Sequence, residues 1–520
     1  MRHITFAMCL TSLTACSTLP TLQPQTPSHA TDIDTAHTTL SKMLKTEQHM
    51  HPDLTGYHVL YDPLEAISAR LSLINKAEKS LDLQYYIWDN DNIGALALYD
   101  IIRAADRGVK VRLLIDDNNA KKMDGVLLAL DQHTNIQVKL YNPYRFRNFR
   151  ALDMLLDLKR INRRMHNKTF IVDHQLALIG GRNMTNQYFN ASDNYQFSDI
   201  DVLLAGKAVG EISQSFDDYW NDSYAFPVRQ LVNPQKHRLR YAALKEQLET
   251  HYKLATMQNY LNLANHSNNF DQWLTFNPDF EWVKAVVVKD SPNKIRDQAQ
   301  PEDYLNTQLR HYSQVPTKTV DIISAYFVPE QQGTAILSKM ANEGINVRVL
   351  TNSFKANDVW LVHAFYSKYR EDLLKSGVKL YEFLPALDKH SLNPHNEEIS
   401  KKAKISLKGL SRSSLHAKLM TVDNKQVFIG SFNLDPRSAK LNTEIGVLLD
   451  SPNLAQAIHT AMDRSINSYS YELMLNPEQK INWMLKQPTI QKVYKQEPKM
   501  KWWQKAGLKI ISWLPIEGMM

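Results

Sequence analysis

Cysteine is nearly absent from this chain of 520 residues: only Cys9 and Cys16 occur, both in the first sixteen positions. With a leader removed ahead of Cys16, no disulfide can form within the body, whose lack of cysteine accords with an oxidising compartment without proving one. Long apolar runs are missing too. Charged residues break the longest within about ten positions, short of the ~20 that a spanning helix needs, so any membrane association is expected at the surface. Neither sign of charge dominates, since 61 Lys and Arg face 54 Asp and Glu for a net +7, with 43% hydrophobic and 22% charged residues. That is ordinary globular balance with ample core material, and the length exceeds a single core, so two domains or two fused halves are expected.

The N-terminus has the form of a secretory leader, residues 1–15: Arg2 and His3, an apolar stretch from Ile4 to Leu13, then small residues. Leu13-Thr14-Ala15-Cys16 has the form of a lipobox, which makes Cys16 the expected lipidation site; a plain secretory leader with an incidental cysteine is the alternative. Ser17, where an Asp would mark inner-membrane retention, favours outer-membrane delivery on the periplasmic side. Residues 16–45, rich in Thr, Ser and Pro to about residue 40, read as a flexible tether.

Against this background one pattern occurs twice. His166-Asn167-Lys168 with Asp173, and His416-Ala417-Lys418 with Asp423, are copies of His-x-Lys-x4-Asp set 250 positions apart. Seven residues after each Asp come Gly180-Gly181-Arg182-Asn183 and Gly430-Ser431-Phe432-Asn433. The run Thr169-Phe170-Ile171-Val172 predicts a strand that includes His166 and Lys168, which would then share a face at i and i+2. Gly181, Ser431, Asn183 and Asn433 are read as phosphate contacts, by close backbone approach or amide hydrogen bonds.

Two such half-sites suit displacement at phosphorus. One imidazole attacks while the other protonates the leaving alkoxide, giving a phosphohistidine; the second then deprotonates the incoming hydroxyl. Lys168 and Lys418 supply positive charge, so neither metal nor cofactor is called for. Asp173 and Asp423 belong to the catalytic motif but end strands before turns, which points to local structural support.

The duplicated motif resembles that of the phospholipase D superfamily. The resemblance extends to Tyr85-Tyr86-Ile87-Trp88, Asp116-Asp117-Asn118-Asn119, Arg163-Arg164-Met165-His166, Ser198-Asp199-Ile200-Asp201, Thr351-Asn352-Ser353, Ala356-Asn357-Asp358, Asp435-Pro436-Arg437-Ser438 and Asn442-Thr443-Glu444. Over roughly residues 55 to 516 these look like bacterial cardiolipin synthases of the C-type branch. The resemblance implies an α/β fold of two fused phospholipase D-like halves, each a mixed sheet flanked by helices, related by a pseudo-two-fold axis. It implies that an acidic residue downstream of each motif orients that motif's histidine: Asp199, 33 residues after His166, and Glu444, 28 after His416. It also favours His166 as nucleophile and His416 as acid and base, which the motifs themselves leave open.

The halves repeat an element order. Strands are expected at Leu81 to Trp88, Val109 to Ile115 and Ile136 to Tyr141, with helices at Ala95 to Arg107 and Asp124 to Asp131. The counterparts are strands at Val320 to Phe327, Ile345 to Thr351 and Val378 to Phe383, with helices at Thr334 to Asn342 and Trp360 to Leu374. Residues 207–222 and 453–470 are read as closing helices. The divisions are 46–224 for the first half, 225–318 for a connector without clear repeat spacing, 319–475 for the second half and 476–520 for a C-terminal interfacial segment.

Arg145, Arg147, Arg150, Lys159, Arg160, Arg163 and Arg164, interleaved with Tyr144, Phe146 and Phe149, suit an anionic lipid surface, a nucleic-acid backbone or a merely solvated loop. Residues 499–515, combining lysines with Trp502, Trp503 and Trp513, read as a helix at a membrane interface or as a terminal cap on the core. Phospholipid transfer to phosphatidylglycerol is the leading expectation, with phosphatidylethanolamine a donor in the C-type branch. Hydrolysis through the same intermediate comes second and a nuclease third, and no nucleic-acid partner is expected. One chain suffices for one site; oligomeric state and a helper protein are left open.

Overall fold

The computed structural model describes residues 19–192, 196–268, 270–276, 278–384, 414–488 and 490–519. The leader 1–15, with Cys9, and the lipidation candidate Cys16 lie outside the described residues.

Two large mixed sheets form the framework. Six strands of the first run in the order Asp201–Gly206, Leu176–Gly180, Thr169–Val172, Ser80–Tyr85, Lys110–Asp116, Ile136–Tyr141, and six of the second in the matching order Ile445–Leu449, Gln426–Gly430, Lys418–Val422, Thr319–Ser324, Asn346–Asn352, Lys379–Phe383. The last three of each set pair in parallel and the others antiparallel. The parallel pairs are joined through helices such as Asn92–Asp106 and Glu330–Asn342, which stop at Gly108 and Gly344 with φ of 102° and 88°. Glycine adopts that conformation at no steric cost, which is why the same helix stop recurs.

Period-two alternation builds the layers. Phe170, Val172, Leu176 and Leu178 face outward onto Pro63–Lys76 and Asn92–Asp106, while Ile171, Ala177 and Ile179 face inward and share one core with Leu419, Val427, Ile429 and Val447 of the other sheet. Helices Lys207–Trp220 and Pro452–Tyr469 bury Ile212, Phe216, Ile458 and Met462 in that same core. The halves thus pack sheet to sheet through one shared core.

Several segments depart from expectation. Within the segment read as a tether, Thr39–Met50 is a helix that buries Leu40 and Leu44, and Ser28 and Ala30 are bonded to Asn221 and Asp217. The stretch read as connector supplies an edge strand to each sheet: Glu281–Val283 pairs with Thr55–Tyr57, and Ala285–Lys289 pairs with Ile445–Leu449. Its helices Tyr241–Tyr252 and Ala255–Asn268 pack on the helices of the first half. The helix expected from Trp360 to Leu374 is two, Trp360–Tyr366 and Arg370–Lys375. Within 476–520, strands Ile481–Gln487 and Ile490–Tyr494 extend the second sheet, and only Trp502–Ile511 forms the expected helix. No described helix is long and apolar enough to cross a membrane.

Candidate active site

Both motifs enter the centre of the molecule along the seam between the halves. Residues Ser414–Leu415 pair in parallel with Phe197–Ser198, and Met165 bridges Thr443, so the backbone ahead of each histidine lies against the opposite half. His166 N donates to Thr443 O at 2.9 Å and His416 N to Ser198 O at 2.8 Å. The chain ahead of each motif is also held at the C-terminal end of a parallel strand. Asp116 accepts from Met165 N at 2.9 Å and pairs with Arg164, while Asn352 accepts from Leu415 N at 3.1 Å.

This seam crosses the acidic partners. His166 Nδ1 lies 2.8 Å from Glu444, and His416 Nδ1 lies 2.5 Å from Asp199. The expectation that each carboxylate serves the histidine of its own half is therefore corrected. Strand exchange at Phe197–Ser198 and Thr443 carries each acid across the pseudo-two-fold axis. At His166 the bond to Nδ1 leaves Nε2 for chemistry; at His416, Lys418 Nζ also lies 2.9 Å from Nδ1 and 3.4 Å from Nε2.

The residues expected to cradle phosphate divide. A Cβ on Gly181 would overlap the Asp199 carboxylate, so Gly181 makes room for an acid and not for a ligand. Ser431, its counterpart, donates its hydroxyl to Glu444, as does Ser438 at 2.9 Å. Asn183 accepts from Ile87 N at 3.0 Å and donates to Tyr188 OH at 3.0 Å, so its carboxamide also serves the protein. Asn433 has a buried Oδ1 with no hydrogen-bond partner among the described residues; as an acceptor it suits a substrate hydroxyl and not the phosphoryl oxygens expected of it.

Lys168 and Lys418 stand at or just before their strands, not both within them, since the first strand begins at Thr169 and the second at Lys418. Each ammonium folds back to the carbonyl of its own histidine, Lys168 at 2.6 Å. Asp173 takes the backbone N–H of Glu78, Lys79 and Ser80, and Asp423 those of Thr317, Lys318 and Thr319. Neither contacts a histidine through any of these bonds; each ties the end of its motif strand to the start of the neighbouring strand.

Burial sets the electrostatics. It holds His166 well below the usual imidazole range, reinforced by Lys168 and Lys418, and it pushes Lys168 down to about 7 against the attraction of Glu444. Burial and Lys418 also lower His416, opposed by Asp199. For Asp199, burial alone would raise the carboxyl, but Lys418 and His416 outweigh it and hold it below its ordinary value. Glu444 is raised by burial, with Lys168 and the two serine hydroxyls opposing.

Aromatic rings surround the imidazoles unevenly. Tyr86 meets His166 edge-on at 4.9 Å between ring centres, whereas Tyr188, Phe197 and Tyr326 lie at 5.2, 5.0 and 6.3 Å from His416. Tyr188 OH lies 3.4 Å from His416 Nε2. Tyr188 and Ser438 were not singled out as site residues by sequence reasoning, although each lies five positions after its half's asparagine, a repeat signal hidden by the change of residue type.

The basic cluster before the first motif is not a free patch. Arg145 and Arg160 pair with Asp157, Arg147 with Asp117 and Asp124, Lys159 and Arg163 with Asp297, Arg164 with Asp116, and Arg150 donates to the carbonyls of Asp117 and Asn118. Beside the exposed Lys159, the region also exposes apolar side chains: Phe149, Met154, Leu155 and Leu156. No described group of three or more His, Cys, Asp or Glu residues is arranged to hold a metal ion.

The domain family described as "Cardiolipin synthase, PLD-like domain" matches residues 71–220 and 311–466. Cardiolipin synthase C of Escherichia coli (strain K12) is 37% identical over 470 residues, covering 90% of this chain and 97% of that protein. A cardiolipin synthase of Geobacillus kaustophilus is 23% identical over 81% of this chain and 67% of its own length. Among solved structures, the phosphatidylserine synthase of Haemophilus influenzae Rd KW20 aligns over 90% of this chain and 96% of its own with a TM-score of 0.51 at 16% identity, a likeness of fold. Two matched blocks, each carrying one His-Lys pair, and a near full-length relative lead to one assignment: the chain belongs to the cardiolipin synthase family with phospholipase D-like domains.

Proposed function

We propose that the protein is a phosphatidyltransferase that makes cardiolipin from phosphatidylglycerol and a second phospholipid through a phosphohistidine. The crossed pairs, His166 with Glu444 and His416 with Asp199, carry this reading. His166 is depressed by burial and donates Nδ1–H to Glu444, so its Nε2 lone pair attacks phosphorus. The P–O bond to the donor's alcohol breaks as His416 Nε2–H protonates that oxygen. In the second half His416 takes the proton of a phosphatidylglycerol hydroxyl, whose oxygen attacks phosphorus; the P–N bond breaks and His166 is restored. Lys168 and Lys418 stabilise the charge that develops on the phosphoryl oxygens, with no metal required by the scheme. Asp199, held ionised beside His416, suits that residue to the imidazolium state.

The rings of Tyr188, Phe197 and Tyr326 around His416 favour a lipid alcohol over water as acceptor, which supports transfer over hydrolysis. Lipidation at Cys16 would hold the enzyme on the periplasmic side, at the outer membrane by the rule on Ser17, and exposed Trp502, Trp513, Phe149 and Leu155 supply apolar surface for the bilayer. Loss of membrane retention in Cys16→Ala tests the anchor.

Lipid mass spectrometry of cells expressing wild type or His416→Ala tests the activity. Cardiolipin that appears only with wild type supports the proposal, whereas phosphatidic acid accumulating in its place would establish hydrolysis. His166→Ala and His416→Ala should each lower turnover by at least about a thousandfold while the protein stays folded.

A further inference from the structure

A groove of about 540 Å³ lies between the loop and helix at Phe354–Trp360 and the C-terminal helix Trp502–Ile511. Its walls are Phe354, Trp360, Trp503, Leu508 and Ile511, with Lys355 the cation among them. The volume falls in the range of about 300–1,000 Å³ used for small-molecule sites, and an apolar wall with one charged group is the usual composition.

The groove is connected to the reacting histidine. Ala356 O accepts from Ser414 Oγ at 2.5 Å, two residues ahead of His416, and Asn352 Nδ2 donates to Leu415 O at 2.8 Å. Asp358, next to the groove residue Asn357, accepts from Tyr326 OH at 2.9 Å, and the Tyr326 ring lies 6.3 Å from His416. One loop thus forms the groove wall at one end and part of the His416 surroundings at the other.

We infer that this groove binds one acyl chain of the phospholipid whose head engages His416, with the C-terminal helix as its outer wall. The inference rests on the lipid-transfer reading and adds an acyl-chain site to it. A hydrocarbon chain matches the aromatic and aliphatic walls, where the Lys355 ammonium lies 5.7 Å from the Phe354 ring centre. The groove's helix also displays Trp502 and Ile510, 82% and 61% exposed, with exposed Trp513 just beyond it. Indoles of that kind settle at the level of lipid head groups, which sets the groove's outer wall at the bilayer surface in this reading.

Gly507 provides the test. It lines the groove, and a Cβ placed on it meets nothing within 4 Å. Gly507→Phe therefore puts a ring into the groove without a backbone clash, and Gly507→Ala, which favours the helix and leaves the groove open, is the folding control. Turnover should be compared on long-chain phosphatidylglycerol and on a short-chain analogue that cannot span the groove. Gly507→Phe should raise the ratio of long-chain to short-chain KM about tenfold over wild type, with Gly507→Ala compared by melting temperature to show that the helix still folds.

The second readout is photocrosslinking of a diazirine-bearing acyl chain in phosphatidylglycerol vesicles to the full-length, catalytically inert His416→Ala protein. Crosslinks at 354–360 and 503–511, lost when Gly507→Phe is added, support the site. Crosslinks confined to Trp502 and Trp513, or long-chain kinetics unchanged in Gly507→Phe, would overturn it. If the groove crosslinks but wild type makes no cardiolipin, the transfer reading fails and the acyl site stands; cardiolipin formation without groove crosslinks has the opposite meaning.

Discussion

His166 and His416 occupy unequal surroundings. Glu444, beside His166, is held by the hydroxyls of Ser431 and Ser438, while Asp199, beside His416, faces Gly181 and accepts from Ile200 N at 2.9 Å. Crossed partnership makes a prediction that partnership along the chain does not. With a nitrophenyl phosphodiester donor, whose leaving group needs no proton, Glu444→Gln should slow the nitrophenol burst by about tenfold or more, and Asp199→Asn should leave the burst within about threefold and slow the later turnover. The reverse pattern in stopped-flow traces would restore the in-half assignment.

The lysines predict a pH profile. Lys168 has its affinity for protons lowered by burial to about 7. Its charge is therefore present below that pH and lost as pH rises through it, so kcat/KM should fall on the alkaline side as Lys168 loses its proton near 7, with Lys418, also lowered by burial, acting in the same direction. A bound phosphate favours the charged form, which should move the limb of kcat to higher pH. His166, depressed by burial, remains the free base below the usual imidazole range and so extends the acid side. Rates measured from pH 5 to 9 for wild type and Lys168→Met would show whether that limb depends on Lys168.

At the scale of elements, the two motif aspartates act as strand clamps. Asp173 is fully buried and gathers three backbone N–H groups, so Asp173→Ala should lower stability by about 3 kcal/mol. Asp423, more exposed, should cost less, and turnover of the folded fraction should stay within about twofold in both; thermal melts with activity per folded protein check this. Gly181→Ala should behave oppositely, displacing Asp199 and cutting turnover about a hundredfold with a small change in melting temperature. Much of this level was legible in the chain: alternation in Thr169–Val172 and the helix stops at Gly108 and Gly344 are local properties. The hairpin Ile481–Tyr494 and the helix Thr39–Met50 were not: the hairpin joins through Ser470–Leu475 an edge that exists only once the second sheet is assembled, and the helix buries two leucines against a body that includes the distant strand Asp201–Gly206.

For the whole molecule, a shared core and a seam crossed in both directions mean that neither half contains a complete site. Mixing purified His166→Ala with His416→Ala should restore no activity, since each chain needs both of its own histidines; recovery on mixing would show that halves exchange between chains. The acidic partners also belong to this scale. The sequence counted 33 and 28 residues downstream and paired each acid with its own motif, and only the exchange of Phe197–Ser198 and Thr443 across the axis reverses the pairing.

From sequence alone came the duplication, the His-Lys pairs, the alternating strands and the family likeness, because spacing and residue type are carried along the chain. Tertiary packing decided which carboxylate holds which imidazole, that Gly181 and Ser431 serve those carboxylates and not a phosphate, and that seven cations before His166 are matched by acids or carbonyls. Those outcomes depend on distances between groups up to 278 positions apart, which become short only when the two sheets close on each other.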